Sequence, residues 1–103
     1  MVREYIVENA SIAVGAERRI LKFIVEYGFG EIETADEPRF LATAWQGNNV
    51  VVWVEATPGR GVTTGVAGIF TGEPVPVYNK VEYVGTAVSE IVVHVYRQRK
   101  EAA

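Results

Sequence analysis

The chain contains no cysteine. That absence removes disulfides, thiolate-held metals and cysteine nucleophiles at once, and it is compatible with a reducing compartment. Histidine is nearly absent too, His94 being the single one. A zinc site would have to complete its ligand set from carboxylates, and a general base at His94 would need a partner that the sequence does not place beside it. No catalytic residue, no metal and no other cofactor is therefore expected. Long apolar runs are missing as well. Nothing approaches the roughly eighteen apolar residues of a membrane span. The opening MVREYIVENASIAV is broken by Arg3, Glu4 and Glu8 where a signal peptide carries an apolar stretch. A cytoplasmic protein without membrane contact is expected. Positive charge is in short supply: ten Lys and Arg stand against thirteen Asp and Glu, a formal net charge of −3. Surfaces that bind nucleic acid are basic, because much of their affinity comes from neutralising phosphates. A protein partner or a second copy of the chain is expected in preference to nucleic acid.

What the sequence has in abundance is β-branched side chains. Of 103 residues, 18 are Val, 7 Ile and 7 Thr. Such side chains lose rotamer freedom on a helix and pack well on a pleated surface. Hydrophobic residues make up 49% of the chain, enough for a real core. A domain of this length hides roughly 65% of the surface its unfolded chain exposes and folds without staples. A single β-rich domain is expected over residues 1–97, with residues 98–103 as a polar, frayed tail.

Strand signals recur between turn residues. EYIVENASIAV alternates around Tyr5 and Val7, then Ile12 and Val14. RFLATAWQ and VVVWVEA flank Gly47-Asn48-Asn49, a three-residue connection containing residues that tolerate positive φ, which is a hairpin signal. GVTTGVAGIF follows, and KVEYVGTAV and EIVVHVYRQR form a last pair. TGEPVPVYN carries Pro74 and Pro76, which cannot donate to a ladder, so it is an edge or a connection. One segment reads both ways. GAERRILKFIVEYGFG places Ala16, Ile20, Phe23, Ile24 and Tyr27 on one face of a helix, or Leu21, Phe23, Val25 and Tyr27 on one side of a strand. The expected fold is mostly β: a small antiparallel β-sandwich or barrel of about seven strands, with at most one short helix near residues 16–27.

EATPGRGVTTGVAG, residues 55–68, has the glycine, arginine and threonine of a phosphate-binding loop. A P-loop needs Gly-Lys-Ser or Gly-Lys-Thr after its first glycine and four residues; five positions beyond Gly59 stands Thr64, and no lysine is present. The dinucleotide fingerprint fails at the same threonine. Both motifs open a helix, whereas Val62 to Phe70 reads as a strand. A strand-to-strand turn is the economical reading, the glycines supplying positive φ. Arg60, between two glycines, remains the best contact for a small anionic ligand or nucleotide, with Thr63 or Thr64 adding a hydroxyl. Strand faces supply the other contact candidates: Trp53, His94 and Tyr96. A lone strand histidine is more often packed than catalytic, and large aromatics such as Trp45, Trp53 and Tyr83 are usually core in a small domain. Glu31 and Glu33 read as a solvated acidic stretch, and the clusters at Glu17–Arg19 and Arg97–Lys100 as solvated ends.

Read in order, REYIV, GAERRIL, VVWVEA, GIFTGEPVP, YVGTA and IVVHVYR resemble a family of small proteins of tailed bacteriophages and prophages, a domain of unknown function. The order and spacing agree over most of the chain. EYGFGEIETADEPRFLATAWQGNN lengthens the path between the Gly-Ala segment and the tryptophan strand. Glu73 stands where the family commonly has a histidine, so no role of that histidine carries over. The resemblance implies that the Gly-Ala segment enters a strand, and it implies no activity. The expected function is that of a non-enzymatic phage accessory or interaction protein in the host cytoplasm, acting by binding as a homo-oligomer. A small-anion or nucleotide sequestering protein and a structural virion component are the alternatives.

Overall fold

The computed structural model describes residues 3–7, 10–14, 17–76 and 80–99. Strands β1 (Arg3–Val7) and β2 (Ala10–Val14) form an antiparallel pair of their own, Val7 opposite Ala10. The body of the protein is seven antiparallel strands in two sheets. In the first, β6 (Asn49–Ala56) lies between β3 (Arg19–Ile24) and β5 (Arg39–Gln46). The second has β4 (Gly28–Thr34), β7 (Val62–Phe70), β9 (Val92–Gln98) and β8 (Val81–Val88) in that order.

The two sheets pack face to face, and period-two alternation decides what lies between them. From β6 the inward residues are Val50, Val52, Val54 and Ala56; β9 contributes Val93 and Val95, β7 Val66, β4 Ile32 and β8 Ala87. Phe40, Trp45, Phe70 and Val84 close the margins. Valine dominates because a short branched side chain fills the space between two pleated layers in one rotamer. The expected sandwich of about seven strands is what the chain forms.

The two-way segment forms strand β3 at Arg19–Ile24, Ala16 lies outside the described residues, and no helix occurs among the described residues. Leu21, Phe23 and Val25 point to the core, while Ile20 and Ile24, which the helical face would have buried, are 67% and 61% exposed. β6 decides the matter by offering its whole edge for pairing, from Arg19 opposite Ala56 to Ile24 opposite Val51.

Chain path explains how the sheets join. Val25 still donates its N–H to Val50 O at 2.8 Å, in the first sheet, and two residues later Tyr27 bridges to Gly68 in the second. The turn is completed at Gly28, φ +81°, and it seats on Gly68. A Cβ at Gly68 would stand 3.1 Å from Val25 Cγ1 and 3.3 Å from Glu26 O. The β5–β6 hairpin closes through two residues, Gly47 and Asn48, with Asn49 already paired to Gln46. Positive φ at Gly47 (+61°), the first turn position, is the type II′ pattern that matches strand twist. Residues 57–61, by contrast, carry the chain from β6 in one sheet to β7 in the other. Residues 71–76, with Pro74 and Pro76, are connection and not strand.

Candidate functional site

The glycine-arginine loop is built into the fold from its first residue. Asp36, in the β4–β5 connection, accepts the Thr57 N–H at 2.8 Å and the Thr57 hydroxyl at 2.7 Å. Ala35 N–H returns a bond to Thr57 O at 2.8 Å, and Arg18 Nη1 lies 3.1 Å from Asp36 Oδ1. The two bonds from Thr57, followed by the charge of Arg18, hold the Asp36 carboxyl below the usual carboxylate range. Arg18 also donates to Glu37 O and Glu55 O. Gly59, at φ +138°, brings the loop against Ala35, whose Cβ would be 3.2 Å from a Cβ on that glycine. The glycines thus serve a turn, between strands of different sheets. Arg60 projects from it exposed, with no side-chain hydrogen bond or ion pair among the described residues.

Beside the loop lies an open cavity of about 470 Å³, lined by Gly61–Thr64, Arg97–Arg99 and Glu37. Arg60 does not line it. Thr63 is exposed and paired with Glu33; Thr64 is buried and paired with Ile32. Alternation therefore sends the two hydroxyls to opposite faces. Each guanidinium nitrogen of Arg97 donates one bond, to Gln98 O, Pro38 O and the Glu37 carboxylate, and the group lies 4.9 Å from the Phe40 ring centroid. Arg99 is the more accessible cation of this cavity, 3.9 Å from Glu82.

His94 and Tyr96 come together on the outer face of the four-stranded sheet. His94 Nε2 meets the Thr71 hydroxyl at 2.8 Å, and Nδ1 meets that of Thr86 at 3.1 Å, itself 2.6 Å from the Tyr83 hydroxyl. The Tyr83 and Tyr96 rings meet edge to face at 5.6 Å. Hydroxyl hydrogens rotate to suit either tautomer, so the imidazole clips the β7–β8 connection to β8 and β9. His94 Nδ1 faces the Thr86 hydroxyl, whereas the base of a nucleophilic triad is oriented by a carboxylate. Glu73 closes the next turn: its Oε1 accepts the Phe70 N–H at 2.7 Å and its own N–H donates to Phe70 O at 3.1 Å.

Trp53 belongs to the other side of the molecule. It faces outward on the three-stranded sheet, opposite Lys22 on β3 and Ala42 on β5, in a row next to Ile20, Ile24 and Val51. The strand-face candidates thus divide between two surfaces: His94 with Tyr96 on one, Trp53 on the other.

One cluster escaped the sequence reading. Tyr27, Trp45, Gly47, Asn48, Ser89, Glu90 and Ile91 line a cavity of about 290 Å³. Trp45 donates its indole N–H to Ile91 O at 3.0 Å, and the Tyr27 ring stacks on Phe70 at 4.8 Å. Three turns remote in sequence bring these residues together, and no local motif announces that. Among the described residues no group of three or more His, Asp or Glu is placed to hold a metal, and no helix is long and apolar enough to cross a membrane.

No curated protein sequence matches the chain, and no solved structure does. Residues 16–103, which hold all seven strands of the two sheets, match the family described as a domain of unknown function (DUF7352), and the chain belongs to that family.

Proposed function

We propose that the protein is a non-enzymatic, phage-encoded accessory protein that acts by binding, with a second copy of itself as its first partner. The observation that carries this reading is strand β3. It forms one edge of the three-stranded sheet, and from its outer face Ile20 and Ile24 project into solvent at 67% and 61% exposure, beside Trp53. Edge strands are normally blunted by charge, proline or cover, and an apolar edge invites another strand. Two β3 strands related by a two-fold axis would pair antiparallel in an isologous contact and join the two three-stranded sheets. A register centred on Lys22 sets Ile20 against Ile24 of the second copy and Leu21 against Phe23. Lys22 is the one residue that opposes this register, and its ammonium is drawn back across the sheet to Gln46 Oε1 at 2.5 Å.

The series of phrases from REYIV to IVVHVYR supports a phage origin, and with it the host cytoplasm as the place of action. Light scattering at micromolar concentration tests the pairing. The expected mass is that of two chains, falling to one chain in Ile24→Lys with an unchanged circular dichroism spectrum. A single-chain mass for the natural sequence across that range overturns the reading.

A further inference from the structure

We propose that the cavity between the β3–β4 corner, the β5–β6 turn and the β8–β9 turn binds an alkylammonium group, the head of a lysine side chain presented by a protein partner. The inference rests on the reading of the protein as a binding module, but not on its self-association. Four observations lead to it.

The lining is aromatic and acidic. Among the described residues of the lining, Tyr27 and Trp45 supply the rings and Glu90 the only charge; the remaining polar side chains there are the Asn48 amide and the Ser89 hydroxyl, with no Lys, Arg or His among them. A cation over aromatic faces is attracted by the ring quadrupole, and a carboxylate at the same mouth adds a full charge to that attraction.

Both rings are held before any ligand arrives. The Trp45 indole is fixed by its bond to Ile91 O, and that bond uses its one donor, leaving the π surface as what it can offer. Tyr27 is 53% exposed, yet its ring is oriented by the stack on Phe70, 26° from parallel. A ring that is already ordered loses little freedom on binding.

Size selects the kind of ligand. About 290 Å³ lies at the lower end of the roughly 300–1,000 Å³ of ordinary ligand clefts. It suits one side-chain head and not an extended peptide. Finally, the chain carries a formal net charge of −3, which favours a cationic partner over an anionic one.

The test uses the full chain in a Trp53→Phe background, which leaves Trp45 as the only indole. Its N–H resonance and fluorescence are followed while Nα-acetyl-lysine methylamide is added, with the Nε-acetylated, uncharged compound and choline as comparison probes. Saturable binding is expected for the lysine probe, at least about tenfold weaker for its neutral counterpart, the loss that a cation–π contact together with an ion pair supplies. Glu90→Gln, a change in an exposed turn, should weaken the lysine probe several-fold, as should Tyr27→Leu. Tyr83→Ala, on another face, should leave it unchanged. Absence of a saturable response, equal binding of the neutral compound, or an unaffected Glu90→Gln overturns the site. Choline binding more than tenfold tighter than the lysine probe overturns lysine as its source. The mass of the protein in solution is measured separately, so failure of this site leaves the self-association reading standing, and the reverse.

Discussion

Asp36 is the residue on which the pH response of this protein should be legible. Its carboxylate takes two bonds from Thr57 and one contact from Arg18, and its affinity for a proton is lowered by them. In the unfolded chain the same group titrates near its ordinary value of about 3.9. Between the two values the unfolded state binds more protons, so stability is present above about pH 4 and is lost as pH falls through the lowered folded value. Urea unfolding at pH 7 and pH 3 should show the midpoint dropping at acid pH, and Asp36→Asn should flatten that drop while lowering the midpoint at pH 7. A parallel acid response in the variant would place the effect on other carboxylates. Arg60 stands at the opposite extreme. It is exposed and makes no side-chain hydrogen bond or ion pair among the described residues, so Arg60→Ala should change stability by less than about 0.5 kcal/mol. Should the protein bind inorganic phosphate or a nucleotide through that loop, the same change would weaken binding by roughly 1.5–3 kcal/mol. The two measurements on one variant separate a turn from a ligand contact.

At the scale of elements, the sequence disclosed strands better than it disclosed their partners. RFLATAWQ coincides with β5 from Arg39 to Gln46 because glycine, asparagine and proline punctuate both of its ends. The segment of β3 was ambiguous for a physical reason: Phe23 falls on the apolar face of both periods, and only pairing with β6 chooses between them. The turn at residues 57–61 was readable as a turn, since Gly59 and Gly61 take positive φ. Its crossing between sheets was not, because the same turn chemistry serves either path. Tyr27, Trp45 and Glu90 were invisible as a group because each lies in or beside a different chain reversal, far from the others in sequence. The corner at Val25–Gly28 makes a sharper test. Around Gly68 a methyl group meets Val25 Cγ1, the Glu26 carbonyl and Val93 Cγ1 at 3.1–3.3 Å, all in packed surroundings. Gly68→Ala should therefore cost about 1–3 kcal/mol. Gly30 has only Glu26 side-chain atoms within 3.7 Å, the nearest a carboxylate oxygen. That exposed side chain can swing away, and Gly30→Ala should stay within about 0.5 kcal/mol of the natural protein. Equal costs at the two glycines would mean that the corner is not held as tightly as its contacts indicate.

For the molecule as a whole, self-association and stability become one quantity. If β3 pairs with β3 of a second copy, the folded dimer is the state that unfolding must break, and mass action makes the melting temperature rise with protein concentration. Ile20 and Ile24 lie at the proposed contact and outside the core cluster of Val25, Val50, Val52, Val54, Val93 and Val95. Ile24→Lys should consequently spare the monomer fold, abolish the concentration dependence, and leave a melting temperature near the low-concentration limit of the natural chain. Differential scanning calorimetry over a hundredfold range of concentration measures both. A concentration-independent melt in the natural chain would sink the pairing, and a variant that melts far below that limit would show instead that Ile24 stabilises the three-stranded sheet within one chain.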